Sequence, residues 1–338
     1  MEIGIIGGGP AGAMAAETLL KLSNDDHGAA SPFQVTLFEE KPGWEKPCGG
    51  GLSSKAARRY PFLLDASRPF SRVEEAEFVA GNGEAVRFRV RSPLLIYSRS
   101  VLNGLLLRRA EAAGTRIVQD RIRGFNRERE GWTLQGRKET YQADYLILAA
   151  GARSGLRRLL APPPGGRDFM LTFGYYTPGA DPLLRVQFFE KFEGYAWAFP
   201  RPDHLSLGIC GKCGGTTMPE LRERLHGFIH RFGYPSTPPG LVFSHLLPAL
   251  DGVSWNSLRL AGDGWAIAGD AAGLVDPLTG EGIYFAMRSG ELLAASLREG
   301  AAPSYPERVW AEFGKRLAFG ARLAPRFYHG DFLGKAST

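Results

Sequence analysis

The chain has 338 residues, 44% hydrophobic and 22% charged, a composition that excludes a disordered or fibrous protein and suits one large domain or two sharing a core. No apolar run approaches the roughly 18 residues of a membrane span, and no basic flank marks a signal peptide, so the sequence predicts a soluble, cytoplasmic protein. A formal charge of +6 and a pI near 9.3 arise from arginines scattered through Arg87 to Arg91, Arg121 to Arg129 and Arg153 to Arg158. They lack the interleaved aromatics of a nucleic-acid platform, and no nucleic-acid partner is expected. They are either a solvated basic surface or an attraction for a phosphorylated or membrane-bound acidic substrate.

The first apolar run, Ile3 to Ile6, reads as a strand. It leads through Gly7-Gly8-Gly9-Pro10-Ala11-Gly12 into a helical pattern carried by Ala11, Met14, Ala15, Thr18, Leu19 and Leu22. This is the strand, turn and helix context of a dinucleotide site: Gly7 for the tight turn, Gly9 for close approach of a pyrophosphate, Gly12 for helix packing. The phosphates would meet unpaired N–H groups at the positive end of the helix. Alone, the motif is equally a glycine-rich turn that binds nothing. A second strand, Val35 to Glu39, ends in a carboxylate suited to a ribose hydroxyl pair, which favours FAD or NAD over NADP. Ser23 to Ser31 reads as an inserted polar loop.

Strands are expected around Glu74 to Val79 and Glu84 to Val90, then a helix from Val101 to Ala113 and short strands ending in the apolar run Tyr145 to Ala149. Proline clusters at Ala161 to Gly166 and Pro235 to Gly240 read as linkers. Between them Leu171 to Tyr176, Arg185 to Glu190, Tyr195 to Phe199 and Leu205 to Cys210 predict an antiparallel sheet. Trp265 to Ala268 is a short buried strand running into Gly269-Asp270, followed by Pro277-Leu278-Thr279-Gly280-Glu281-Gly282 and a helix from about Ile283 to Leu297. The fold class is therefore α/β: a Rossmann-like FAD-binding domain with an inserted antiparallel β-sheet substrate domain. The first comprises residues 1–70, 95–164 and 255–338, and the second 71–94 and 165–254.

The conjunction of these motifs resembles the flavoproteins of the para-hydroxybenzoate hydroxylase and glutathione reductase fold group. Within it, Lys46-Pro47-Cys48-Gly49-Gly50-Gly51-Leu52 and Gly194-Tyr195-Ala196-Trp197-Ala198-Phe199-Pro200 resemble the geranylgeranyl reductase family. The resemblance implies FAD as cofactor and reduction of carbon–carbon double bonds in an isoprenoid or other hydrophobic substrate. It places Asp270 on the ribityl chain, where the alternative is a helix N-cap. It also places Gly280, Gly282 and Ile283, after Gly269 and Pro277, at the pyrimidine edge of the flavin, where a helix start favours developing negative charge. Arg99 falls near the FAD phosphates and ribose, or is a surface arginine at a helix start. Glu39, Glu40, Lys41, Cys48, Gly49, Gly50, Ile122, Ala150 and Gly151 complete the implied cofactor set.

An isolated alkene has no carbonyl to accept charge, so hydride delivery to one carbon must be coupled to protonation of the other in a dry cleft. Cys48 matches the family's cysteine beside the isoalloxazine and is either that acid or a small packed residue. Tyr195, Trp197 and Phe199 alternate on a strand and share a face, lining a lipid channel or packing as core. Lys46 would meet a diphosphate or phospholipid head group, or else be solvated. The segment Tyr305 to Tyr328 carries an apolar stripe through Val309, Phe313, Leu317, Ala321 and Ala324. Its basic flank of Arg308, Lys315, Arg316, Arg322 and Arg326 suits either a core-capping helix or peripheral membrane contact.

Where hydroxylases of the group have Asp-Gly, this chain has Ala150-Gly151-Ala152-Arg153-Ser154. That departure weakens an alternative, an FAD-dependent monooxygenase or halogenase of the same fold. A further alternative is a flavoprotein that modifies or matures a partner protein. No second Gly-x-Gly-x-x-Gly follows a strand, so the electron donor is expected to be NAD(P)H bound transiently or an electron-carrier protein. The chain is short for the family, which implies that a C-terminal part enclosing long substrates is absent. Cys210 and Cys213 form a C-x-x-C after a strand-like run with no second pair, which argues against metal or redox use, and three cysteines in all cannot form a disulfide framework.

Overall fold

Continuous apolar runs, buried on both faces, build a parallel sheet. In the computed structural model, which describes residues 1–24, 32–65, 67–235 and 242–329, Glu2–Ile6 is flanked by Gln34–Phe38 and Tyr145–Leu148. Arg116–Val118 and Trp265–Ile267 extend the sheet on either side, and Ala261–Gly262 adds one antiparallel edge. The polar insertion expected at Ser23 to Ser31 and the linker at Pro235 to Gly240 lie, for residues 25–31 and 236–240, outside the described residues.

The helix Pro10–Asn24 starts where the first strand ends and packs along Ile283–Arg298. A Cβ at Gly290 would come within 2.2 Å of the Ala11 carbonyl oxygen, so the two helices approach backbone to backbone. This is how the two ends of the sequence meet at one glycine-rich turn. Arg99–Ala112 also packs against the first helix.

The second sheet has eight strands. In spatial order they are Val242–Pro248, Phe169–Thr177, Leu205–Lys212, Gly194–Pro200, Leu183–Phe188, Ser71–Val79, Ala85–Ile96 and Gly51–Leu52. Every pairing is antiparallel except that of Ser71–Val79 with Leu183–Phe188. Strand alternation separates its two faces. Ala196 and Ala198 join Leu207 and Ile209 under the helix Met218–Arg231, packed on Leu221, Leu225 and Phe228. The opposite face, with Tyr195 and Trp197, belongs to a separate apolar cluster that also takes in Tyr328 of the helix Lys315–His329. A three-stranded antiparallel sheet, Gly124–Glu128, Gly131–Gln135 and Thr140–Ala143, completes the mixed α/β fold that the sequence predicts.

Candidate functional site

One cavity of about 1300 Å³ is lined by residues from both large sheets. Of the sequence-predicted residues, it brings together Gly7, Gly9, Pro10, Ala11, Glu39, Glu40, Lys41, Cys48, Gly49, Gly50, Arg99, Ile122, Ala150, Gly151, Asp270, Gly280, Gly282, Ile283, Tyr195 and Trp197. Gly12, Gly269 and Pro277 are not among the lining residues. They act one layer behind: a Cβ at Gly12 would strike the Gly7 carbonyl at 2.0 Å, Gly269 sits against Ala11, and Pro277 packs on Gly320.

At the dinucleotide end, a Cβ on Gly9 would meet nothing within 4 Å, leaving open space over the start of the first helix. The Glu39 carboxylate is oriented by backbone amides, accepting from Gly8 N at 2.8 Å and Lys41 N at 2.9 Å. Arg99 is buried; it donates to Asn103 Oδ1 at 3.2 Å, and its Nε has no partner. A buried guanidinium with an unspent donor beside a helix N-terminus is suited to a phosphate or ribose oxygen.

At the other end, Asp276 holds the glycine turn by accepting from Leu278 N and Thr279 N. The helix Ile283–Arg298 then opens at Gly282 with no side-chain cap, and Gly280, Gly282 and Ile283 border the cavity. Uncapped N–H groups there offer donors and partial positive charge to the group bound. These features, an open glycine cradle, an orphaned buried donor and an uncapped helix start, fit a flavin dinucleotide.

Lys46 is not solvated. Its Nζ lies 2.6 Å from Asp270 Oδ2, with both side chains largely withdrawn from water. Burial pushes the Asp270 carboxyl up, but the Lys46 ammonium, joined by Arg99 and His245, holds the group below the usual carboxylate range. His245, which the sequence did not single out, also borders this corner; burial, with Lys46 next in weight, pushes its imidazole down to about 3. Arg201 and Glu45, likewise missed, tie the Cys48 loop to the neighbouring elements.

Trp197, Phe199, Phe188 and Phe327 line the apolar part of the cavity. Tyr195 has its hydroxyl donated to the Thr279 carbonyl at 2.7 Å, and burial holds its phenol far above its ordinary range, so it does not ionise. Cys210 is buried in its strand, its thiol pushed up to about 12 by burial, Cys213 is half-buried beyond the strand end, and neither forms a disulfide. Among the described residues no cluster of three His, Cys, Asp or Glu could hold a metal ion, and no helix is long and apolar enough to cross a membrane.

A family model described as FAD-NAD(P)-binding matches residues 4–153. The geranylgeranyl diphosphate reductase of rice chloroplasts is 25% identical over 89% of this chain and 67% of its own length. The digeranylgeranylglycerophospholipid reductase of Methanosphaerula palustris is 29% identical over 87% and 75%. The chain thus spans about two thirds of the plant relative it matches. A geranylgeranyl bacteriochlorophyll reductase-like structure from Thermoplasma acidophilum shares the fold with a TM-score of 0.83, at 20% identity over 97% of this chain and 87% of that one. Flavin-dependent halogenases and a probable monooxygenase share the same fold. The matches and the cavity together identify the cofactor as FAD.

Proposed function

We propose that this chain is a geranylgeranyl reductase-like FAD-dependent oxidoreductase and that it reduces carbon–carbon double bonds of an isoprenoid or similarly hydrophobic substrate. The observation that carries the proposal is the meeting, in one cavity, of the dinucleotide turn, the Cys48 loop and an aromatic wall. When bound, FAD supplies the hydride. Gly9, Glu39, Arg99, Asp270 and the start of the helix at Ile283 would hold the dinucleotide.

The remaining requirements fall on the protein's own residues. Trp197, Phe199, Phe188 and Phe327 exclude water from an alkene and orient a chain of low polarity. Cys48, half-buried on the cavity wall, holds the proton for the second alkene carbon. The reducing equivalents come from NAD(P)H or an electron-carrier protein.

The decisive experiment reduces the purified protein anaerobically and mixes it with isoprenoid diphosphates, isoprenoid lipids and aromatic candidates. A product carrying two added hydrogens, with flavin reoxidation, supports the proposal. Rapid NAD(P)H-dependent oxygen uptake with an oxygenated or halogenated product replaces it with the chemistry of the fold's halogenases and monooxygenases. Full turnover in both Cys48→Ala and Cys48→Ser removes the proton role.

A further inference from the structure

Residues 45–50, which carry Cys48, have neither helix nor strand. The glycines that follow Cys48 make such a backbone costly in entropy to fix. Something outside the loop must therefore hold it. Arg201, directly after the aromatic strand Gly194–Pro200, has a fully buried side chain yet is not among the cavity-lining residues. Its guanidinium reaches the loop at two points: Nη2 donates to the Cys48 carbonyl at 2.6 Å and Nη1 to Glu45 Oε1 at 2.6 Å.

The Glu45 carboxylate in turn accepts the N–H groups of Arg99 and Ser100, both at 2.9 Å, at the start of the helix Arg99–Ala112. Burial pushes the Glu45 carboxyl up, but Arg201 and those two amides prevail and keep it below its ordinary value. Ser206 Oγ also donates to the Cys48 carbonyl, at 3.3 Å, and accepts from Trp197 Nε1 at 3.4 Å. A buried ion pair is weak evidence for stability, because apolar side chains would fill the same space about as well. What a planar guanidinium adds is geometry, since its fork fixes two acceptors at once.

The geometry points to Arg201 as the positioning residue for Cys48: it fixes the Cys48 carbonyl and so sets the thiol against the cavity, while Ser206 joins the same carbonyl to Trp197 on the wall. This rests on the proposed proton-holding role of Cys48 only for its catalytic consequence; the clamp itself is testable without it.

The test measures the rate of Cys48 alkylation by iodoacetamide in FAD-loaded protein, resolved by peptide mass spectrometry, with half-buried Cys213 as internal control. Arg201→Met should raise the Cys48 rate about tenfold, the loss of charge-assisted hydrogen bonds making loop opening easier, with Cys213 unchanged. Arg201→Lys, which restores the charge but not the fork, should fall between Met and wild type. Glu45→Gln, which keeps one of the two helix-capping oxygens and loses the ion pair, should also accelerate Cys48 and carries the test if Arg201→Met fails to fold. The turnover readout is a drop in kcat with little change in KM. An unchanged Cys48 rate in the folded variants, or equal acceleration at Cys213, overturns the proposal. If Cys48→Ala keeps full turnover while Arg201→Met still exposes the thiol, the clamp stands and the acid role fails.

Discussion

Lys46 and Asp270, 224 residues apart, close an ion pair of 2.6 Å that joins the Cys48 loop to the strand end before the C-terminal helices. Removing the ammonium leaves a withdrawn carboxylate without its counter-charge, a change that costs about 3–5 kcal/mol in comparable settings. Asp270 is held below its ordinary value, so its contribution is present above the usual carboxylate range and is lost as pH falls through the depressed value. In Lys46→Met burial, which pushes the group up, is opposed only by the weaker pulls of Arg99 and His245. Acid unfolding, followed by tryptophan fluorescence, should therefore begin at a higher pH than in the wild type. Lys46→Met combined with Asp270→Asn should recover part of the loss; no recovery would show that the pair is not the cause.

His245 gives a pH dependence of the same direction by a different route. Its imidazole, facing Lys46, Asp270, Arg153 and Arg99, is pushed down to about 3 by burial and by Lys46, whereas in an unfolded chain it titrates near its ordinary value of 6.5. Between those values the unfolded state binds the extra proton, so the native state loses up to ~1.4 kcal/mol per pH unit as pH falls. His245→Gln should flatten the stability curve between about pH 6.5 and 4. Denaturant midpoints across that window, falling equally steeply in wild type and variant, would assign the acid sensitivity elsewhere.

The parallel sheet was legible because its strands are unbroken apolar runs, Ile3 to Ile6 and Tyr145 to Ala149, and because the glycine turn has a fixed spacing to the helix that follows. The aromatic face was legible for a similar local reason: Tyr195, Trp197 and Phe199 alternate. The helix Met218–Arg231 was missed although its signal is present, Thr217 three residues before Glu220 and then Leu221, Leu225 and Phe228 at helical spacing. Arg201 and His245 carry no such local mark, and nothing local to Lys46 points to Asp270 as its partner. Arg201 meets Glu45 and Cys48 from more than 150 residues away, and His245 stands on a strand whose register against Phe169–Thr177 sets its place. Their roles arise only when the eight-stranded sheet closes over the parallel one.

Trp197 packs against Gly208: a Cβ there would come within 2.2 Å of the indole. Gly208→Ala should therefore drive the ring into the cavity and favour shorter substrates, while Trp197→Ala should lengthen the accepted chain. Both should retain FAD, since neither residue lies among the groups assigned to it. Relative kcat/KM over a series of isoprenoid chain lengths, with flavin content measured in parallel, checks this. Colourless protein from both variants would make Trp197 a packing residue instead of a specificity determinant.

The helix Lys315–His329 divides its two faces between the cavity side and the surface. Its inner side buries Leu317, Ala321, Ala324 and Tyr328, and Phe327 borders the cavity, so the apolar stripe read from the sequence caps the core. Its outer side carries Phe319, 67% exposed, among Lys315, Arg322 and Arg326. Arg308 and Arg316 are committed to Glu299 and Asp276, but Lys315, Arg322 and Arg326 have no ion-pair partner among the described residues. Each such basic residue near an anionic surface contributes about 1 kcal/mol. Wild-type protein should accordingly co-sediment with phosphatidylserine-containing vesicles and be released by salt. Reversing two charges, Arg322→Glu with Arg326→Glu, should lower the partition coefficient by at least about tenfold while leaving flavin content intact. Wild-type protein that ignores the vesicles at low salt would reduce this face to an ordinary solvated surface, and delivery of a lipid substrate would then need a soluble carrier.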